Sequence, residues 1–249
     1  MYIRTEGLIV MEQNIGEKDK LLTILTKCEG LIRVFARGVK SFLNRNASAT
    51  QLFCYSDLIL YKTKDKYVLT EASAKVLFFD LRNDIEKLSL AEYFCELTIA
   101  LTSHNHEIGD ILSLILNSFH YLQTGKICAN LLKPIFEIKI LCFSGYTPNL
   151  ICCKDCAAYC ASTFYWILKE GSIFCENCFK NHFAPGLTLH SAPLAALRHI
   201  IYAEPKKTFW FELSYESKKE LIYAAEQYIL YCLEKELKTL DFYNLIAQN

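Results

Sequence analysis

Residues 31–37 read LIRVFAR and alternate branched or small apolar side chains with charged or aromatic ones. Successive side chains of a β-strand point to opposite faces, so Arg33, Phe35 and Arg37 would share one face. The apolar residues between them would share the other face. The pattern predicts a strand with one buried face and one basic, aromatic face.

The sequence on either side of this strand contains four more runs of the same kind. They are rich in Ile, Val, Leu, Thr and Tyr and are bounded by Gly, Asn, Asp or charged residues. The five predicted strands cover 3–11, 20–26, 31–37, 52–61 and 66–74. Five strands in fewer than 80 residues, with the longest connection after the third, predict an OB-type barrel. An SH3-like barrel is the alternative.

Beyond Asp80 the apolar residues recur at the spacing of a helix instead. The pattern predicts helices around 90–101, 111–122, 135–143, 192–202 and 215–237. Gly145 is the predicted end of the third helix, with Pro148 just beyond it. We therefore expect an α+β chain with this domain order: an OB domain at 1–80, a helical domain at 81–148, a metal-binding loop at 149–185 and a helical closure at 186–249.

The predicted loop contains two Cys-x-x-Cys pairs. Cys153 and Cys156 form the first, Cys175 and Cys178 form the second, and 18 residues separate the pairs. This is the spacing of a four-cysteine zinc site. Four thiolates fill a tetrahedral shell and leave no position for a reacting water, so the sequence predicts one structural zinc ion.

Other interpretations of these cysteines stay open at this stage. The chain has twelve cysteines, and Cys152 and Cys160 are close enough in sequence for one of them to replace a predicted ligand. The same residues could hold an iron–sulfur cluster. A redox role is less well supported because neither pair follows a strand–helix–strand pattern.

The composition and the missing motifs exclude several function classes. The net charge is zero, but residues 1–80 carry 12 Lys and Arg against 9 Asp and Glu, so any basic surface must be local. Nucleotide-binding glycine loops, a nucleophile elbow and a paired-carboxylate site are absent from the sequence. The segment SHNHE at 103–107 is interpreted as a solvated loop. We expect a protein that is not an enzyme.

No part of the sequence predicts a membrane span or a signal peptide. The stretch 111–125 is interrupted by polar residues, and the apolar run 8–11 is too short for a signal peptide. We expect a cytoplasmic protein.

The predicted barrel carries a candidate nucleic-acid surface. Arginines neutralise phosphates, and an aromatic ring can stack on an unpaired base, which is the combination that single-strand binders use. The loop after the third strand and the hairpin before the fifth add further cations. The candidate DNA-binding residues are Arg33, Phe35, Arg37, Lys40, Arg45, Lys62, Lys64 and Lys66. Binding of protein partners by the same barrel is the rival interpretation.

These motifs, taken in order, resemble the RecO family of bacterial DNA repair and recombination mediators. The resemblance lies in TEGLIV (5–10), NIGEKDKLLTILT (14–26), EGLIRVFARGVKS (29–41), YKTKDKYVLTEA (61–72), IFEIKILCFSGYTPNL (135–150), GSIFCENC (171–178) and KTLDF (238–242). Single pieces are weak, but their order and spacing are specific. All four cysteines of the family pattern are present, and Cys152 and Cys160 are additional.

The resemblance implies a function and a set of partners. It implies an OB domain, a helical domain and a zinc loop in a nucleoid-associated protein that binds single- and double-stranded DNA and anneals complementary strands without ATP. It implies work with RecR and with the single-stranded-DNA-binding protein to load RecA. The acidic, apolar-ended tail of that binding protein would dock on the helical domain, where Lys133 and Lys139 are candidates.

Overall fold

The computed structural model describes residues 1–41, 43–64, 66–102, 109–205 and 207–247. Its contacts divide the chain into two units: Met1–Thr124 with Leu237–Asn249, and Gly125–Glu236. The second unit is thus inserted in sequence between two parts of the first. The domain boundaries expected from sequence patterns stay a prediction. No helix in the described ranges has both the length and the apolar character needed to cross a membrane.

The first unit begins with a closed five-stranded barrel. Its strands are β1 (Tyr2–Ile15), β2 (Asp19–Thr26), β3 (Gly30–Ala36), β4 (Cys54–Lys62) and β5 (Tyr67–Leu77). They close in the order β1-β2-β3-β5-β4, with β1 antiparallel to β4 and β3 parallel to β5. This is the five-stranded Greek-key barrel of the OB type, so the predicted α+β fold is confirmed.

Side-chain alternation fills the barrel. Ile9, Leu22, Ile24, Val34 and Leu60 have no exposed surface and form the middle of the core. Strand β1 serves two neighbours, pairing with β2 along one edge and with β4 along the other. A bulge between Ile9 and Met11 shifts its register with β2. The core is therefore apolar and bounded by a continuous hydrogen-bonded wall.

Gly7 of β1 lies close against β2. A Cβ atom at this position would be 2.6 Å from the Cγ2 atom of Ile24 and 3.1 Å from the carbonyl oxygen of Leu25. No side chain fits there without movement of the neighbouring strand. The glycine of the TEGLIV segment is thus a packing requirement of the barrel.

Within the described residues, three α-helices complete the first unit: α1 (Ile85–Leu101), α2 (Gly109–Thr124) and α7 (Lys238–Ala247). Asp84 caps α1, because its carboxylate accepts hydrogen bonds from the backbone N–H groups of Glu86 and Lys87. Helix α7 packs against α1, and the N–H of Thr239 donates to the carboxylate of Glu96 at 3.3 Å.

The second unit is helical with a small sheet. Its helices are α3 (Ala129–Phe143), α4 (Glu176–Phe179), α5 (Ser191–Tyr202) and α6 (Tyr215–Leu233). Strands β6 (Thr163–Ile167), β7 (Ser172–Cys175) and β8 (Leu187–His190) form an antiparallel sheet in the order β7-β6-β8. Phe164, Trp166 and Phe174 of this sheet are fully buried.

Two helix ends of this unit test the sequence prediction. Gly145 has the positive φ of 90° expected of a helix C-cap, and the N–H of Tyr146 returns to the carbonyl oxygen of Leu141. The prediction of one helix over 215–237 is wrong at its end. Helix α6 stops at Leu233 because Glu234 adopts a left-handed conformation with φ of 49°.

Candidate metal centre and nucleic-acid interface

The four predicted cysteines come from two short turns of the second unit. Cys153 and Cys156 occupy a turn closed by a 2.9 Å hydrogen bond from the N–H of Ala157 to the carbonyl oxygen of Cys153. Cys175 is the last residue of β7, and Cys178 lies in the single turn of α4. One pair of thiols therefore comes from a turn, and the other comes from the junction of β7 and α4. The two pairs face each other.

The geometry fits a tetrahedral metal ion. The four sulfur atoms all lie within 4.8 Å of one another, and those of Cys156 and Cys175 are 3.6 Å apart. Sulfur atoms bound to one zinc ion at about 2.3 Å would be about 3.8 Å apart. Cys152 and Cys160 lie outside this group, so the cluster that could hold a metal ion is the predicted set of four.

Backbone amides prepare the first sulfur for a cation. The N–H of Cys175 donates to the Cys153 sulfur at 3.4 Å. Burial raises the pKa of the Cys153 thiol, but hydrogen bonds from the backbone of Cys156, Cys175 and Asp155 outweigh it and lower that pKa to about 6. In contrast, the thiols of Cys156 and Cys175 raise the pKa of Cys178. A bound cation in place of the protons would let all four be thiolates.

Charged pairs surround the two turns. Lys154 forms a 2.7 Å ion pair with Glu170, and Lys180 lies 3.7 Å from Glu176. The imidazole of His182 lies 2.9 Å from Asp155. The pairs of Lys154 and Asp155 connect the loop that carries the first two cysteines to residues on either side of the second two, whereas the Lys180–Glu176 pair lies within the segment of α4.

The exposed face of β3 has the predicted arrangement. Arg33 and Arg37 are exposed and Phe35 is half-buried, whereas Val34 and Ala36 between them are fully buried. The guanidinium of Arg37 lies 5.8 Å from the centre of the Phe35 ring. The alternation in LIRVFAR therefore places a basic, aromatic row on the outside of the barrel.

This row borders a depression of about 400 Å³. Its lining consists of Leu21, Arg33, Phe35, Arg37, Lys66, Tyr67 and Val68. Four candidate DNA-binding residues are thus brought together, namely Arg33, Phe35, Arg37 and Lys66. Leu21, Tyr67 and Val68 were missed, because only the pairing of β3 with both β2 and β5 makes them neighbours of Phe35.

The other four candidates lie outside the lining. Lys40, Arg45 and Lys64 are exposed, and the ammonium of Lys40 donates to the Gly16 carbonyl oxygen at 3.3 Å. Lys62 forms a 2.7 Å ion pair with Glu29 and lies 5.2 Å from the centre of the Tyr67 ring. The bond to Glu29 raises the pKa of Lys62, so this ammonium stays charged but already has a carboxylate partner.

Lys133 and Lys139 are not surface cations. Lys133 is 1% exposed and forms ion pairs with Glu137 at 2.8 Å and Glu226 at 2.7 Å. Desolvation alone would lower the pKa of Lys133, but the two carboxylates together raise it. Lys139 is 6% exposed and donates to the backbone carbonyls of Ile200 and Ile201. Both lysines connect α3 to its neighbours in the second unit. Neither ammonium group is exposed for contact with another molecule.

A separate cleft of about 480 Å³ opens on the second unit. Its lining consists of Lys126, Ile127, Cys128, Leu131, Phe209, Trp210, Phe211 and Glu212. Lys126 is exposed, and the ammonium of Lys218 reaches the Cys128 sulfur at 3.8 Å. Apolar side chains with two nearby cations thus occur here rather than at Lys133 and Lys139. The SHNHE segment at 103–107 lies outside the described residues.

Two family models together match nearly the whole chain. The model described as Recombination protein O N terminal matches residues 1–78, and the one described as Recombination protein O C terminal matches residues 82–241. The chain belongs to the RecO family. The resemblance seen in the sequence is therefore confirmed.

Curated relatives agree with this assignment. The DNA repair protein RecO of Acetivibrio thermocellus is 30% identical over 241 residues, which cover 97% of this chain and 96% of the relative. The protein of the same name from Caldicellulosiruptor bescii is 28% identical over 244 residues, 98% of each chain. That of Alkaliphilus metalliredigens is 30% identical over 178 residues, 72% of each chain. RecO membership makes this a DNA repair protein.

Proposed function

We propose that this RecO-family protein is a non-enzymatic recombination mediator of the bacterial cytoplasm, associated with the nucleoid. It binds single- and double-stranded DNA, anneals complementary strands without ATP and helps to load the recombinase RecA on DNA that is coated by the single-stranded-DNA-binding protein. The observation that carries the proposal is the group of three cations around Phe35 on the barrel surface.

The cations account for binding to DNA of either form. Arg33, Arg37 and Lys66 lie on one side of the barrel and can each approach a phosphate. Contacts of this kind position a strand without reading its sequence, so the base edges remain available for pairing with a second strand. Lys40, Arg45 and Lys64 are exposed and would extend the contact along the backbone, and Lys62 would contribute least because it is paired with Glu29.

The four-cysteine cluster would hold a zinc ion with a structural role. Zinc prefers tetrahedral thiolate sites, and the sulfur spacing suits its radius. Once bound, the ion would cross-link the turn at Cys153 to the end of β7 and would offer no open coordination position. We therefore assign it to the stability of the second unit and not to a reaction.

The cleft on the second unit is the proposed docking place for the tail of the single-stranded-DNA-binding protein. Apolar walls from Leu131, Phe209 and Trp210 suit the apolar end of the tail. Lys126 and Lys218 supply two positive charges for its acidic residues against one carboxylate, Glu212. The proposed contact with RecR rests on the resemblance to the family.

Annealing of two complementary oligonucleotides without nucleotide tests the proposal. We expect acceleration that declines with salt, and a weaker effect with Arg37→Ala plus Lys66→Ala, whose salt dependence of binding should fall by about one unit of slope per lost contact. Lys238→Ala is the matched control, because Lys238 is an exposed lysine of the same unit outside the depression. If the wild type accelerates nothing at any salt concentration, the barrel is better explained as a protein-interaction module.

A second experiment tests the mediator step. Strands coated with the cognate single-stranded-DNA-binding protein should still anneal, and a synthetic tail peptide should bind the full-length chain. Lys126→Glu should reduce both effects, whereas Lys180→Glu, an exposed change in the same unit, should reduce neither. Unchanged peptide affinity in Lys126→Glu would remove the cleft from the proposal.

A further inference from the structure

The depression beside β3 has an apolar floor, and the residues of this floor are not part of the barrel core. Leu21 of β2 is the register partner of Phe35, and Phe35 is the register partner of Val68 of β5. The three side chains therefore form one row across three strands, and all are half-buried. The neighbouring residues Leu22 and Val34 point inward and are fully buried. The row is an apolar strip on the outer surface.

One wall of the depression is held in place by hydrogen bonding. The hydroxyl of Tyr67 donates to the carboxylate of Glu29 at 2.7 Å, and the same carboxylate accepts from Lys62 at 2.7 Å. The Tyr67 ring is thereby fixed beside the floor before any ligand arrives. A wall that is already ordered loses little side-chain entropy on binding.

Charge at the rim is positive on both sides of the floor. Arg33 and Arg37 lie two residues before and after Phe35, and Lys66 precedes Tyr67. Among the described residues, Asp19 accepts the N–H of Gly38 at 2.8 Å and Glu29 is bound to Lys62. Arg37 lies 5.8 Å from the Phe35 ring centre, close to the outer limit of about 6 Å for a cation–π contact. A flat ligand can therefore displace the Arg37 guanidinium from the face of the Phe35 ring.

A flat apolar surface between cations matches the chemistry of a nucleotide in a single strand, whose base has a flat aromatic face and whose flanking phosphates are negative. We propose that the depression is a slot for one unstacked nucleobase of single-stranded DNA, stacked on Phe35 beside Tyr67. The inference rests on the proposed DNA-binding function and adds the ligand and its mode of binding. At about 400 Å³ the slot falls within the size range of small-ligand sites.

The slot has a consequence for annealing. A base in a duplex is paired and stacked, and moving it out of the helix has an energetic cost, so duplex DNA would be held by its phosphates alone. The protein would therefore lose the stacking contribution as two strands pair. Single strands would therefore be bound more tightly than the duplex product.

The test compares single-stranded and duplex binding by the full-length chain at one salt concentration. Phe35→Leu removes the ring and keeps an apolar side chain. We expect affinity for an oligothymidylate to fall roughly tenfold and affinity for a duplex of equal length to stay the same. Phe35→Trp keeps a ring and should retain single-strand affinity. Because stacking involves no ion release, the salt slope of Phe35→Leu should match the wild type.

A second probe needs no variant. An oligonucleotide of abasic sites has the phosphates without the bases, and the wild type should bind it roughly tenfold more weakly than oligothymidylate. Equal affinity for the two probes, or a Phe35→Leu effect that is the same on duplex and single strand, would overturn the slot while leaving DNA binding intact. If the wild type binds neither DNA form, the proposed function itself fails and the slot fails with it.

Discussion

The barrel and the four-cysteine loop are ordered by different physical means. In the barrel, stability is spread over a closed wall of hydrogen bonds and a core in which Ile9, Leu22 and Leu60 have no exposed surface. In the loop, two turns and a strand end bring four thiols within 4.8 Å of one another. Distributed burial tolerates the loss of any one contact, whereas a cluster of four thiolates would depend on a single shared cation.

Unfolding of the two regions can also be followed separately by experiment. The chain has two tryptophans, Trp166 and Trp210, and both lie in the second unit with the cysteines. Trp166 is fully buried in β6 and lies 4.6 Å from the Tyr228 ring. Tryptophan fluorescence therefore reports unfolding of the cysteine-bearing unit, and far-UV circular dichroism reports both units.

Loss of the proposed metal ion should have the largest effect. Cys175→Ser removes one of four ligands, and a chelator removes the ion, so we expect several kcal/mol of destabilisation in the tryptophan signal. The barrel should keep its circular dichroism contribution and its salt-dependent DNA binding. Cys160→Ser is the control, because Cys160 is exposed and outside the cluster. Metal analysis that finds no bound ion in a stable wild type would contradict the structural role.

The buried lysine gives the next largest effect. Lys133→Met leaves the carboxylates of Glu137 and Glu226 without their shared cation inside the second unit. Breaking a buried ion pair from one side costs about 3–5 kcal/mol, which denaturant unfolding followed by tryptophan fluorescence would measure. The exposed Lys126→Met should change stability by less than about 0.5 kcal/mol. Equal values for the two variants would contradict the burial of Lys133.

In the barrel, the addition of one methyl group at Gly7 should lower the free energy of unfolding. Gly7→Ala places a Cβ atom 2.6 Å from Ile24, and overpacking of this kind costs about 1–3 kcal/mol. Thermal unfolding followed by circular dichroism would measure the loss. Gly109→Ala is the control, since a Cβ there meets no atom of the described residues within 4 Å apart from its chain neighbours, and Gly109 begins α2. A neutral Gly7→Ala would show that β1 and β2 can separate slightly without cost.

The smallest expected effect is a gain in stability from a change in the turn that carries Cys153 and Cys156. Ala157 follows Cys156 and has a left-handed conformation with φ of 57°, which costs a non-glycine residue about 1–2 kcal/mol. Ala157→Gly relieves this strain but adds freedom to the unfolded chain, so the net gain should be at most about 1 kcal/mol. Its neighbour Ala158 has no positive φ, and Ala158→Gly should lose about 0.5–1 kcal/mol. A rise in the fluorescence-detected unfolding temperature for the first variant alone is the expected result.

Local patterns made much of this molecule predictable. The period-two alternation in LIRVFAR gave the exposed face of β3, and the spacing of Cys153, Cys156, Cys175 and Cys178 gave the cluster. Both depend on residues close in sequence. Leu21, Tyr67 and Val68 were not predictable as neighbours of Phe35, because they come from strands that meet β3 only once the barrel closes.

The lysines of α3 show a second limit of sequence patterns. Lys133 and Lys139 lie within the apolar helix α3, and a lysine on a helix normally reaches water. Glu226 and the carbonyls of Ile200 and Ile201 become their partners through tertiary packing. The sheet of β6, β7 and β8 was also missed, because strands of four or five residues carry too few side chains for alternation to be recognised.

Helix α7 constrains the order in which the parts of the first unit can fold during synthesis. The barrel strands end at Leu77 and can close while the rest of the chain is still being translated. The face of α1 that receives α7 stays uncovered until residues 238–247 leave the ribosome, after the whole inserted unit. Leu240 and Tyr243 are buried in the finished structure, so a chain that stalls before them has a formed barrel but an open helical layer. Such chains would be ready substrates for chaperones and proteases.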